Sequence, residues 1–200
     1  LMESKQTEFS SDWWNSDSFT PDGIVAGTDL WETLIKGPEK SIVDYPFKGI
    51  NNMTYGIRKG ELVTICAGTG IGKSSFLREI IYHIYGNTDE NIGLMFMEES
   101  VRATAESLMG LHLNKPLHLP DVVYEDEEYE EAFKEVLGSN RFFFFDHFGS
   151  NTIENIISRI RYLVRALGCR YIVLDHISIL VSSQENSMDE RKTIDSCVTK

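Results

Sequence analysis

The run Ala67-Gly68-Thr69-Gly70-Ile71-Gly72-Lys73-Ser74 combines alternate glycines with a lysine and a hydroxyl. Glycine adopts the positive φ values that let a backbone curl until successive N–H groups point at one anion. Where such a curl opens a helix, the unpaired N–H groups and dipole of the first turn add to the attraction for phosphate. Lys73 then reaches the β and γ oxygens and Ser74 offers its hydroxyl to Mg²⁺, the pattern of a P-loop with Ala67 in the place of its first glycine. Gly68, Thr69, Gly70, Ile71, Gly72, Lys73, Ser74 and Ser75 are therefore the candidate nucleotide-binding residues.

A phosphate cradle of this kind needs an acidic partner for the metal at the end of a neighbouring strand. Tyr171-Ile172-Val173-Leu174 is an apolar run that ends in Asp175, so Ser74 and Asp175 are the candidate metal ligands. Hydrolysis also needs a group that orients and deprotonates the attacking water. Met97-Glu98-Glu99 puts two carboxylates after another apolar run. Alternation along a strand lets only one of them face the γ-phosphate, and spacing does not choose between them. His176, beside Asp175, is read as a hydrogen-bonded structural group. His83, His112, His118 and His147 show no metal-ligand spacing.

These residues must be carried by elements. Leu62 to Ala67, Ile92 to Met97, Phe142 to Phe145 and Tyr171 to Leu174 are short apolar runs of the kind buried in parallel sheets. Between them lie helical periods. One has Phe76, Leu77, Ile80, Ile81 and Ile84 on a stripe. A second runs from a Ser100 cap to about His112. A third is an acidic surface helix from Glu125 to Leu137 with Tyr129, Phe133, Val136 and Leu137 inward. The last opens on Asn151 and Glu154, ends at Gly168, and carries Ile153, Ile156, Ile157, Ile160, Val164 and Leu167 on one face. The alternation predicts an α/β layer sandwich with its ligands at the carboxyl ends of the strands. Ahead of it, Thr28 to Lys36 reads as a short amphipathic helix with Leu30, Trp31, Leu34 and Ile35 together, and residues 1 to 22 read as a polar tail.

Composition bounds the possibilities. With 42% hydrophobic and 25% charged residues, the 200-residue chain has the make-up of one folded domain with an appendage. A net charge of -12 gives no overall attraction to nucleic acid or anionic membrane. Cys66, Cys169 and Cys197 suit neither a disulfide framework nor a zinc site, which predicts a reduced, cytoplasmic protein. No apolar stretch approaches a membrane span.

Three blocks in this order, Ala-Gly-Thr-Gly-Ile-Gly-Lys-Ser-Ser-Phe, Met-Glu-Glu-Ser-Val-Arg-Ala-Thr-Ala-Glu-Ser-Leu-Met-Gly-Leu-His and Leu-Asp-His-Ile-Ser-Ile, resemble the helicase domain of bacteriophage replicative primase-helicases. That family is related to the DnaB-type ring helicases and to the mitochondrial helicase Twinkle. The likeness runs from Pro21 to Lys200. It implies a RecA-like P-loop NTPase core, a three-layer sandwich with a mostly parallel sheet. It further implies a homo-hexameric ring that hydrolyses ATP or dTTP with Mg²⁺, translocates on single-stranded DNA, and works in the cytoplasm of the host cell, without a membrane. By position, Lys73 and Ser74 match the phosphate and metal residues, Asp175 the second metal carboxylate, and Glu98 the catalytic base, with Glu99 supporting.

The resemblance also divides the chain. Residues 1–27 become a tail, 28–37 a linker helix that packs on a neighbouring subunit, and 38–200 the N-terminal part of the ATPase domain. The family's γ-phosphate sensor strand, DNA-binding loops and arginine finger fall after Lys200, so the domain is expected to be truncated, inactive alone and unable to bind DNA. Its sensor strand would lie between the Leu62 to Ala67 strand and the Asp175 strand. Without it two strands leave backbone groups unpaired, at about 1–3 kcal/mol for each buried one. Two other readings share the P-loop: a RecA-type recombinase or other ring ATPase, and a nucleotide-binding assembly module without turnover.

Overall fold

A computed structural model describes residues 25–146 and 152–176. The chain divides into two units, residues 1–40 and 41–200. In the first, a 3₁₀ turn at Gly27–Leu30 leads into α1 (Trp31–Ile35), so the helix predicted from Thr28 to Lys36 is α-helical only in its second half. Leu30, Trp31, Leu34 and Ile35 are all exposed.

The second unit begins with a segment that shows no periodicity and that sequence reasoning left without an element. Val43 and Ile57 form an antiparallel bridge around α2 (Lys48–Thr54), which Tyr55 ends in the left-handed conformation at φ 60°. Val43, Tyr45 and Ile57 are buried, and Phe47 stacks on Phe76 with ring centroids 4.7 Å apart. The chain then passes through the glycine-rich loop into α3 (Lys73–Asn87), β1 (Asn91–Phe96), α4 (Val101–Leu113) and α5 (Asp126–Ala132). β2 (Phe142–Phe144), α6 (Ile153–Arg165) and β3 (Cys169–Asp175) complete the described chain.

The strands form a parallel sheet in the order β2-β1-β3. As the middle strand, β1 is covered on both faces, which is why Ile92-Gly93-Leu94-Met95-Phe96 is unbroken by any polar residue. Alternation sends Ile92, Leu94 and Phe96, with Phe142 and Val173, into a core under α3, α4 and α5. Met95, Phe143, Ile172 and Leu174 point the other way, into a second core under α6. The result is three layers, helix, sheet and helix, as the apolar pattern and the resemblance imply. Fully burying a side chain such as Ile81, Ile92 or Leu94 contributes about 1.5–3 kcal/mol. Alternation puts position 93 on the α6 face, and glycine suits it because Leu163 and Ile172 already fill the space: a Cβ there would stand 2.8 Å from Ile172 Cδ1 and 3.0 Å from Leu163 Cδ1.

Four local expectations are corrected. Leu62 to Ala67 forms no strand; with no described strand beside it to accept its backbone hydrogen bonds, Leu62 and Val63 stay 68% and 52% exposed. The acidic helix is not continuous, because after Ala132 it widens into a π turn over Phe133–Leu137, closed by Gly138 N donating to Phe133 O. The extra residue per turn leaves Phe133 half exposed while Val136 stays buried. In α6 the cap is Thr152, whose hydroxyl accepts from Asn155 N, and Asn151 lies outside the described residues. On the same helix Leu163 is buried and Val164 is 45% exposed, since burial follows a 3-4-3 spacing from Ile153 through Ile156 and Ile160. Ser100 does cap α4, accepting from Ala103 N.

Candidate functional site

The loop before α3 turns through Gly70 at φ +79° and Gly72 at φ +90°, values that L side chains adopt only with strain. Gly72 is the helix N-cap, and the first intrahelical bond runs from Phe76 N to Gly72 O. The N–H groups of Lys73, Ser74 and Ser75 are thus left without helical acceptors, a donor set facing out of the helix start. Lys73 Nζ donates to the carbonyls of Ala67 at 3.2 Å and Gly68 at 3.0 Å, which holds its ammonium across the loop. Gly68, Thr69, Gly70, Ile71 and Ser75 are exposed, so the loop is open to a ligand.

β3 ends at Asp175, and Ser74 Oγ donates to Asp175 Oδ2 at 2.5 Å. The two residues assigned to the metal from separate motifs therefore meet. A hydroxyl and one carboxylate are hard oxygen donors, and no group of three or more His, Cys, Asp or Glu side chains gathers among the described residues. That set fits Mg²⁺, which is commonly held by one or two protein oxygens together with phosphate and water. It does not fit zinc, which takes a fuller set of nitrogen and sulfur ligands.

The third component joins β3 through the backbone. Met97 N donates to Asp175 O at 2.6 Å, which extends the β1–β3 ladder by one bond and delivers Glu98 and Glu99 beside Asp175. The two glutamates then diverge. Glu98 is exposed and its Oε1 lies 3.5 Å from His176 Nδ1. Glu99 turns back toward the protein, where Arg78 Nη2 donates to Oε2 and Thr104 Oγ1 donates to Oε1 at 2.8 Å. Spacing alone left the choice open; the geometry leaves Glu98 as the carboxylate directed to solvent.

Arg78 and Thr104 were not singled out from the sequence. A signal for Arg78 was present: it is the basic residue four positions after Ser74, hence on the same helical face, beside the apolar stripe. Thr104 offered none beyond its place in the first turns of α4.

Residues 43–199 match the DnaB-like helicase C terminal domain. The chain is also 35% identical over 195 residues to the DNA helicase/primase of Enterobacteria phage T3, an alignment covering 94% of this chain and 34% of that protein. It thus spans about a third of the length of that relative. No helix among the described residues is long and apolar enough to cross a membrane. Because the family match takes in most of the chain, from Val43 past both the glycine-rich loop and Asp175, the chain belongs to the DnaB-like helicase C-terminal domain family.

Proposed function

We propose that this chain is the nucleotide-hydrolysing part of a replicative DNA helicase that works as a homo-hexameric ring on single-stranded DNA in the cytoplasm. The observation that carries the reading is the Ser74–Asp175 contact, which joins the phosphate loop to the acidic strand end. Family membership supports the use of a nucleoside triphosphate, and ATP or dTTP is the substrate proposed here. The free N–H groups of the α3 start take the β-phosphate, and Lys73 leaves its loop carbonyls for the β and γ oxygens. Ser74 and Asp175 would hold Mg²⁺, which neutralises charge on the β- and γ-phosphate oxygens when bound. Glu98 accepts a proton from the water that attacks the γ-phosphate and keeps it in line. Glu99 serves as support rather than base.

In this reading α1 packs on the neighbouring subunit of the ring. The test is nucleotide hydrolysis by the full-length protein with and without single-stranded DNA. DNA-stimulated turnover that Lys73→Ala abolishes is the expected result. Turnover that survives Lys73→Ala would remove the assignment.

A further inference from the structure

Both oxygens of Glu99 are committed, one to Arg78 and one to Thr104. Arg78 lies one turn beyond Ser74 on the helix that starts at the phosphate loop, and Thr104 lies on the opening turns of α4. The ion pair is largely buried, with side-chain exposures of 12% for Arg78 and 23% for Glu99, and the guanidinium sits 5.7 Å from the Phe96 ring centroid. Shielding of this order makes an ion pair stronger and more directional than one in water. Glu98, one residue earlier, is 68% exposed.

In the 97–99 bend Met97 is fixed by its buried side chain and by its N–H bond to Asp175 O, Glu98 is exposed, and Glu99 is held by Arg78 and Thr104 just before Ser100 caps α4. We propose that Arg78 is a positioning residue for hydrolysis: by gripping Glu99 it ties the 97–99 bend to the phosphate-loop helix and so fixes where Glu98 stands over the nucleotide. The proposal rests on Glu98 being the base, as argued above. Its physical content is a rigid link. One helix carries the phosphate-binding groups at its start and the anchor for the general base one turn later, so the two move as a unit.

The test uses the full-length protein, with kcat, KM, nucleotide Kd and the thermal midpoint measured together. Arg78→Lys keeps the charge and loses the planar fork. It should lower kcat roughly tenfold, within the range that small misplacements of a reacting group produce. KM and Kd should stay within about twofold, since only a transition-state interaction is lost. Glu99→Gln should cost a similar factor, and the double variant no more than either single one, because both act through one contact. Unchanged kcat in Arg78→Lys, a loss confined to KM, or losses that multiply would each overturn the proposal.

Should Arg78→Lys lower the midpoint, the same constants are measured well below the variant's own midpoint, where it is folded: a fall in kcat at constant KM supports the link and an unchanged kcat removes it. A wild-type protein that hydrolyses no nucleotide, or a Lys73→Ala variant with unaltered affinity, removes the nucleotide-site reading together with this one. Lys73-dependent turnover with a silent Arg78→Lys removes the link alone.

Discussion

The Ser74 hydroxyl and the Asp175 carboxylate, 101 positions apart in sequence, are 2.5 Å from each other. Replacing Asp175 with Asn keeps the shape and removes the charge a divalent cation requires. Nucleotide affinity measured with Mg²⁺ should fall about tenfold, the scale of one charge-assisted contact, while affinity in EDTA stays at the wild-type value. Equal losses with and without Mg²⁺ would show that Asp175 serves the fold rather than the metal.

Lys73 bonds to the Ala67 and Gly68 carbonyls, so its ammonium is already aimed across the loop. Lys73→Ala should weaken nucleotide binding at least tenfold, since contacts of this type contribute roughly 1.5–3 kcal/mol. Titration of a fluorescent nucleotide checks it, and unaltered affinity would move the phosphate site elsewhere.

Glu98 and Glu99 should separate in kinetics as they do in space. Glu98→Gln in the full-length protein should keep nucleotide affinity and lose turnover about a hundredfold or more, the range for a general base. Glu99→Gln should lose less, because it disturbs placement and leaves the base intact. A larger defect in Glu99→Gln would reverse the two roles.

Leu30, Trp31, Leu34 and Ile35 are exposed on a short turn-and-helix segment. Leu30→Ser with Leu34→Ser should shift the full-length protein from the proposed hexamer toward monomer in light scattering. An unchanged hexamer would assign α1 to its own subunit.

Gly110 lies on the buried side of α4, where a Cβ would come within 2.4 Å of the Lys115 carbonyl oxygen. Backbone cannot swing aside as a side-chain tip can, so Gly110→Ala should destabilise by about 1–3 kcal/mol, the usual cost of overpacking. Chemical denaturation reads this directly. A midpoint equal to wild type would mean that the Lys115–Leu117 turn yields freely.

The parts legible in sequence are those whose cause is local. Ser100 caps α4 because its own side chain reaches Ala103 N, and β1 announces itself because both its faces are apolar. The glycines at 70 and 72 carry positive φ as the motif requires. What sequence concealed depends on neighbours. Leu62 to Ala67 has strand composition, but a strand exists only beside another, and no described strand pairs with it. Leu163 and Val164 are one helical step apart, and which of them is covered follows from the side chains of the sheet beneath. Ser74 and Asp175 could be assigned to the metal separately, whereas their contact, and the Arg78 grip that parts Glu99 from Glu98, arise only when α3, β1 and β3 are assembled.

The position of β1 between two partners that both follow it in the chain has a consequence for how the protein is made. β1 leaves the ribosome before β2 and well before β3, yet Leu94 pairs with Phe144 on one side and Val173 on the other. Pairings of such long range are slow, because the intervening loop must close before any contact rewards it. Until Cys169–Asp175 has been synthesised, Ile92 to Phe96 is an apolar strand with an open edge, the kind of surface to which chaperones bind and through which nascent chains aggregate. A segment that is buried on both faces in the finished molecule is thus uncovered while the rest of its sheet is being made.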